Sequence, residues 1–499
     1  MHDSAPDPFN LAGYVLEAGR QDPEKIALVV TGVSQAERWS YGRLTRAVQG
    51  MAGALKAEGI RAGDRILLRL GNTVEFPVAF LGAIAAGMVP VPTASGLTVA
   101  EITTLADLVD PAVIIAAPGV ALPDHAAPIL ADLGAMMAAP PADFVAGSPD
   151  RLAYLVFTSG SSGRPKAVAH AHRAIWARRM MWDGWYGLGR EDRLMHAGAF
   201  NWTFTLGTGL LDPWSVGATA LIPAPGTDPA ALALLARRHD ATILAAAPGI
   251  FRKLLASGRP LALPRLRHGL SAGEKLPETL RDAWAEATGT ALHEALGMSE
   301  CSTFLSGAPE RPAPRGTLGF AQAGRRLAVL DAAGATLPDD EIGTLAVHRS
   351  DPGLMLGYWQ RGGAFDLPLT GDWFETGDRV ARRGDGAFTY HGRRDDLITA
   401  GGFRVSPLEI EAAFETAPGV DDCAALAVAP KPDTTIIALA FTGPAEEAGL
   451  RALAEARLAR YKQPRAYLRL AALPRSPNGK LDRRALRDIA SEAAPKDAP

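Results

Sequence analysis

Cysteine is almost missing from this chain: Cys301 and Cys423 are the only two among 499 residues. So few thiols exclude a disulfide framework and point to a reducing compartment, and no Cys/His spacing suggests zinc, so both read as small buried residues. Long apolar runs are missing too, and none approaches the ~20 residues that cross a bilayer. Neither charge sign is in excess, with 51 basic and 54 acidic residues and a net charge of −3. Without a basic run interleaved with aromatics, neither nucleic acid nor an anionic membrane is an expected partner. The opening MHDSAPDPFNLAGYVLE carries acidic residues and no apolar run behind a basic end, so it does not read as a signal peptide. A cytoplasmic location is the expectation. No repeat with a period of about 20 to 50 residues stands out. What remains is ordinary globular texture, 47% apolar and 21% charged, in a chain too long for one core, which predicts about two to four structural units.

The first half alternates helix and strand. In residues 40–58 apolar side chains recur at Leu44, Val48, Met51 and Leu55, a helical stripe that Ser40 can cap and Gly59 can end. DRILLRL (residues 64–70) reads as a buried strand. A second stripe uses Phe76, Phe80 and Ile84, with Pro77 tolerated in the first turn. MVPVP, PAVIIAA (residues 111–117), ATALIPA (218–224) and ATILAAA (241–247) continue the series. The alternation predicts an α/β fold, with a large N-terminal domain (residues 1–394) of mostly parallel sheets flanked by helices and ligands bound beyond the carboxyl ends of strands. Residues 118–148, rich in Ala and Pro, are expected to be a surface connection. From about residue 315, and plainly after Arg349, short glycine-rich strands predict a small β subdomain. Residues 395–499 restart as a small α+β C-terminal domain, with a capping box at Ser406-Pro407-Leu408-Glu409, strands at 423–428 and 435–441, and a helix from about 445 to 461.

The most informative stretch is YLVFTSGSSGRPKAV (residues 154–168), a strand running into a loop of small hydroxyl and glycine residues. Thr158, Ser159, Ser161 and Ser162 offer hydroxyls, Gly160 and Gly163 let backbone amides approach an anion, and Lys166 adds charge. A Walker A loop is excluded, because Pro165 and Ala167 stand where it needs Gly and Ser or Thr. In SAGEKLPE, the small residues Ala272 and Gly273, just before Glu274, would let a flat ring lie against the backbone; a tight turn before a helix capped at Pro277 accounts for them nearly as well. Ala295, Leu296, Gly297, Met298, Ser299 and Glu300 set a carboxylate after a Gly-hydroxyl turn, suited to magnesium near phosphates. Asp378, in TGD, is an acceptor-only group fit for ribose hydroxyls, or an ordinary turn residue. Gly392-Arg393-Arg394-Asp395-Asp396 clusters charge, Gly401-Gly402-Phe403 is a turn able to approach a ligand, and PRSPNGK holds Lys480 at a turn tip.

These motifs, in this order and over essentially the whole chain, resemble those of the adenylate-forming superfamily of acyl-CoA synthetases, peptide-synthetase adenylation domains and luciferases. GDRILLRL, EFPVAFLGAIAAGMVPVP and WSVGATALI are most similar to the benzoate-CoA ligase branch. The resemblance implies ATP, Mg2+ and coenzyme A acting on a small-molecule carboxylic acid, and a mobile C-terminal domain. It assigns phosphate to residues 158–163 and Lys166, adenine to the turn at Ala272 to Glu274, magnesium to Glu300, the α-phosphate to Ser299 and ribose to Asp378 and Arg393. It puts the hinge at Asp395, the pantetheine tunnel at Gly401, Gly402 and Phe403, and the acyl carboxylate against Lys480. Leu296 replaces the aromatic that commonly begins the magnesium motif, which removes ring stacking but no metal or phosphate group. The acyl pocket falls on Phe200, Trp202, Thr203 and Phe204; an extended segment would put the three aromatics on one face. Those aromatics favour an aryl or compact aliphatic acid. The implied activity is an ATP-dependent carboxylate-CoA ligase working through acyl-AMP. Alternatives are a stand-alone adenylation enzyme loading a carrier protein, a luciferase-like oxidase and a catalytically silent nucleotide-binding protein. No carrier segment with an attachment serine follows Lys480, which leans towards free CoA. A homodimer is left open.

Overall fold

The apolar runs read as strands line up side by side. A computed structural model describes residues 4–159, 165–256, 261–394, 398–400, 403–431, 434–458, 460–476 and 479–493. In it Ala291–Met298, His268–Ala272, Ile243–Ala246, Arg193–His196, Thr219–Pro223 and Ile26–Thr31 form, in that spatial order, the parallel half of one long sheet. Its other half is antiparallel, running through Ser302–Ser306, Gly319–Ala321, Ala387–Arg393, Trp373–Arg382, Gly343–His348 and Leu327–Leu330. Several of the glycine-rich strands near the end of the large domain therefore extend the main sheet.

A second, parallel sheet joins Val89–Pro92, Arg65–Arg69, Val113–Ala116 and Ile129–Leu130. The helix Glu75–Ala85 packs on this sheet, and outside it lies the helix Tyr41–Ala57, whose cap Ser40 accepts from the Arg43 N–H at 3.3 Å and whose Leu44, Val48, Met51 and Leu55 are buried as their spacing predicts. It packs on the helix Glu75–Ala85 at Gly82, where a Cβ would come within 2.5 Å of Met51 Cγ. Residues 118–148 are more than a surface connection: Ile129–Leu130 extends the sheet, and in the helix Leu133–Ala138 the side chains of Leu133 and Met136 enter the core. Two apolar anchors without a period left no pattern to read.

A third sheet corrects the setting of the phosphate loop. Leu152–Ser159 pairs antiparallel with Pro165–Ala171, so the strands on either side of the phosphate loop are hairpin partners and not members of the parallel sheets.

In the C-terminal unit Asp422–Lys431, Thr434–Thr442 and Ala466–Arg469 form a sheet between the helices Pro407–Phe414, Glu447–Arg457 and Arg483–Ala493. One face is packed by Phe414, Ile437, Leu439 and Phe441, the other by Leu426, Val428, Leu473 and Leu486. The expected capping box is not formed: Ser406 precedes the helix but makes no side-chain cap bond, and the Glu409 carboxylate goes to Lys462. The helix after residue 445 stops at Arg457 because Leu458 is extended, with φ −123° and ψ 138°. Among the described residues no helix is long and apolar enough to cross a membrane.

Candidate active site

The carboxyl ends of His268–Ala272 and Ala291–Met298 open on a cleft of about 1300 Å³, whose walls also carry Thr158, Lys166, Asp378, Arg393 and Lys480. Thr158 and Lys166 face each other across the hairpin, one on each strand. Gly160, Ser161, Ser162 and Gly163 lie outside the described residues, as do Asp395, Gly401 and Gly402 and the side chains of Ser159 and Phe403.

Glu300 is buried and faces this hairpin. Its Oε1 accepts from the Tyr358 hydroxyl at 2.9 Å, and Lys166 Nζ stands 4.3 Å from the Tyr358 ring centroid. Burial pushes the Glu300 carboxyl above its ordinary range, while the Tyr358 bond and the charges of Arg393 and Lys166 pull it back. A carboxylate held in so dry a position gains from a nearby cation. Upstream, the Ser299 carbonyl bonds His170 Nε2 at 2.8 Å, and His170 stacks on Tyr154 at 4.8 Å, which holds the GMS turn against the hairpin. Leu296 lines the cleft and leans on the core.

On the opposite wall Asp378 and Arg393 are register partners on adjacent strands. Asp378 Oδ1 accepts from Tyr390 at 3.1 Å and from Arg393 Nη1 at 3.3 Å. Burial raises the Asp378 carboxyl, and Arg393 is the first of the groups that lower it again. Gly377, at φ 80°, allows this approach: a Cβ there would lie 2.9 Å from Arg393 Nη2.

Lys480 enters the cleft from the C-terminal unit, with Nζ 5.4 Å from the Trp202 ring centroid. Burial lowers its pKa; the carboxylates of Glu274, Asp378 and Glu300 hold the proton on, and Arg393 works against them. Gly273 makes room for this meeting. At φ +98° it is left-handed, and a Cβ would sit 2.8 Å from Trp202 Cζ2 and 3.2 Å from Lys480 Cε. Glu274 turns towards the C-terminal unit, accepting from the Leu481 N–H and, at 3.2 Å, from Arg475 Nη1. Arg475 Nη2 bonds Asp422 at 2.7 Å, and Thr279 Oγ1 reaches Glu415 at 2.9 Å across the same junction.

The aromatic segment is not extended. Residues 203–204 are already helical and lead into a π-helix, Thr205–Leu211, so the three rings do not share a face. Phe200 is fully buried against Phe76 at 5.3 Å in the main core, and neither it nor Trp202, Thr203 or Phe204 is among the described residues that line the cleft. Trp202 and Phe204 stand together at 5.0 Å, nearly perpendicular, with Thr203 half-buried beside them. Tyr358, Tyr390, His170 and Arg475 escaped the sequence reading. Tyr358 and Tyr390 sit in strands noticed only for their glycines, and strand register would have brought Tyr390 to Asp378.

The family of AMP-binding enzymes matches residues 15–359, and the AMP-binding enzyme C-terminal domain matches residues 409–480. The chain is 32% identical over 503 residues to a 4-hydroxybenzoate–CoA/benzoate–CoA ligase of Rhodopseudomonas palustris, covering 92% of this chain and 91% of that protein. It is 30% identical over 487 residues to a 3-hydroxybenzoate–CoA ligase of an Aromatoleum species, covering 92% of each. Among solved structures, an anthranilate CoA ligase in complex with anthranoyl-AMP superposes with a TM-score of 0.87 at 25% identity, covering 98% of this chain and 99% of that one. A benzoate CoA ligase from Burkholderia xenovorans LB400 gives 0.85 at 27% identity, covering 96% and 100%. Fold and cleft together define an adenylate-forming enzyme, in which a large domain and a small one meet over one cleft. The chain belongs to the AMP-binding enzyme family.

Proposed function

We propose that this enzyme is an ATP-dependent CoA ligase for a benzoate-like aryl acid or a compact aliphatic acid. A carboxylate oxygen of the acid attacks the α-phosphorus of ATP, forming acyl-AMP and releasing pyrophosphate. The CoA thiolate then attacks the acyl carbonyl, the C–S bond forms and AMP departs. In the first step two anions must be brought together, so charge neutralisation dominates. Lys480 is assigned to the acid carboxylate and α-phosphate. Thr158, Ser159, Gly160, Ser161, Ser162, Gly163 and Lys166 are assigned to the polyphosphate, Ala272 and Gly273 to adenine, and Asp378 and Arg393 to ribose.

The buried Glu300 carboxyl, paired to a neutral tyrosine and raised by desolvation, has the chemistry of a magnesium ligand. Magnesium needs few protein oxygens when phosphates and waters complete its shell, so one carboxylate suffices. When bound, Mg2+ neutralises charge on the polyphosphate. The second step calls for Gly401, Gly402 and Phe403 at the place Lys480 occupies, with Asp395 as the pivot.

The observation that carries this reading is the convergence of Lys480, from the C-terminal unit, with Glu300 and Asp378 in one cleft. A panel of carboxylic acids assayed for AMP and pyrophosphate formation, with CoA present, tests it. Acid-dependent pyrophosphate release together with consumption of free CoA thiol is the expected result. Release without thiol loss would point to a carrier protein as acceptor, and no release with any acid would overturn the reading.

A further inference from the structure

Two polar groups beside Trp202 have no protein partner. His196, the last residue of Arg193–His196, is fully buried, and neither ring nitrogen finds a hydrogen bond among the described residues. Thr205 Oγ1, also fully buried, is unpartnered as well. Both border one spot. A Cβ on Gly198 would lie 2.1 Å from Thr205 Oγ1 and 3.1 Å from His196 Nδ1, so only glycine lets the backbone pass this close to both the hydroxyl and the imidazole. Leaving such a group buried and unpaired forfeits its hydration with nothing in return. Native interiors seldom leave one without a use.

The surroundings say what fits. Phe204 meets the His196 ring at 4.4 Å and Trp202 meets it at 6.4 Å, both edge-on, while Ala245 is its neighbour across the sheet. The Trp202 ring in turn stands 5.4 Å from Lys480 Nζ. From Lys480 to His196 the path thus crosses one indole, flanked by Phe204. A ring acid that displaces this indole would have its carboxylate at Lys480 and its far edge at His196 and Thr205.

Resting on the acid-activating reading above, we propose that His196 and Thr205 are specificity-determining residues: they form the polar end of the acyl pocket and select ring acids bearing a neutral hydrogen-bonding substituent, hydroxyl or amino, away from the carboxylate. Burial pushes the His196 pKa down to about 3, so the imidazole is neutral and presents one donor and one acceptor. Such a pair both gives and takes a hydrogen bond, as a phenol does. It offers no charge to a second carboxylate, so aryl dicarboxylates are rejected.

The test compares benzoate, the three hydroxybenzoates, the aminobenzoates and phthalate. It uses kcat/KM for acid-dependent AMP formation, and thermal shift with a non-hydrolysable ATP analogue as a readout independent of turnover. A site built to pair a hydroxyl discriminates more strongly than an apolar pocket, so the wild type should favour its best hydroxy or amino acid over benzoate by more than about 100-fold. His196→Phe should bring that ratio below about tenfold, Thr205→Val should lower it in the same direction, and His196→Gln should restore part of it. A wild-type ratio near one overturns the proposal, as does a ratio left unchanged by His196→Phe. If that variant does not fold, an unchanged ratio in Thr205→Val overturns it by itself. Should no acid yield AMP, the ligase reading fails; a thermal shift by hydroxy acids that His196→Phe removes would still support the polar site, and no shift would sink both.

Discussion

Lys480 is an amine drawn out of water, which lowers its pKa, while three carboxylates, Glu274, Asp378 and Glu300, favour its charged form. Such a charge matters where negative charge builds up, so Lys480→Ala should cut acyl-AMP formation by about 10²- to 10³-fold. Conversion of supplied acyl-AMP and CoA to thioester should persist. The two half-reactions assayed separately decide it, and equal loss in both would refute the assignment. Glu294, one strand position before the ALGMSE segment, makes a different kind of prediction. It is buried, and burial lifts its carboxyl to about 7, against the pull of the Leu276 N–H at 2.7 Å and of Arg281. A carboxyl whose folded pKa is raised stabilises the fold below its unfolded pKa and loses that contribution as pH climbs through about 7. Glu294→Gln keeps an acceptor for Leu276 and removes the titration. The melting temperature of this variant relative to wild type should therefore rise between about pH 5 and about pH 8, and a pH-independent difference would contradict the buried-acid account. Trp202 is half-buried, not a core residue like Phe200. Trp202→Ala should cost well under the ~3–5 kcal/mol of a core tryptophan and shift the preferred acid towards bulkier members of a series. Melting temperature and kcat/KM, read together, check it.

Among the elements, the π-helix Thr205–Leu211 is held by a buried ionic knot. Arg178 bonds Asp212 at 2.6 Å and Tyr186 donates to the same carboxylate at 2.8 Å, while Gly207 passes so close that a Cβ would lie 2.2 Å from Arg178 Nη2. Removing one partner of such a pair strands the other charge, so Asp212→Asn should destabilise the protein by about 3 to 5 kcal/mol, measured by chemical denaturation. Its KM for the acid should rise too, since the same helix carries Thr205. What could be read at this scale was what repeats. The stripe at Leu44, Val48, Met51 and Leu55 specified its helix because spacing alone determines a face, and Ser40 marked its start. Phe200 to Phe204 had the alternation of a strand, yet long-range packing against Phe76 and His196 set its turn. The Ser406–Glu409 box failed for a similar reason: Glu409 found Lys462, a partner 53 residues away. The phosphate-loop hairpin, and the tyrosines at Glu300 and Asp378, depend on strand register, which local pattern does not carry.

At the scale of the whole molecule, Arg475 joins three of the polar groups at the junction of the two units. It bonds Glu274 of the large domain, and within its own unit Asp422 and the Gly479 carbonyl, next to Lys480. Asp422 also lies 3.8 Å from Arg252 of the large domain. The bonds that hold the turn in shape thus also hold it against the turn that carries Gly273, so positioning Lys480 and closing the cleft are one event. The proposed mechanism requires the opposite as well, because the thioester step needs the small domain turned away. A clamp made of one arginine and two partly buried carboxylates is strong enough to bias that equilibrium and weak enough to release it. Arg475→Ala should therefore slow acyl-AMP formation and spare, or quicken, thioester formation from supplied acyl-AMP, each by on the order of tenfold, the effect of losing one partly buried charged hydrogen bond. Lys480→Ala removes a group from the reaction and has no reason to quicken the second step; Arg475→Ala shifts a population, and small-angle scattering should show its average shape moving away from the closed form. If Arg475→Ala slows both half-reactions alike while its scattering stays that of the wild type, the contact serves only the local turn and the clamp lies elsewhere.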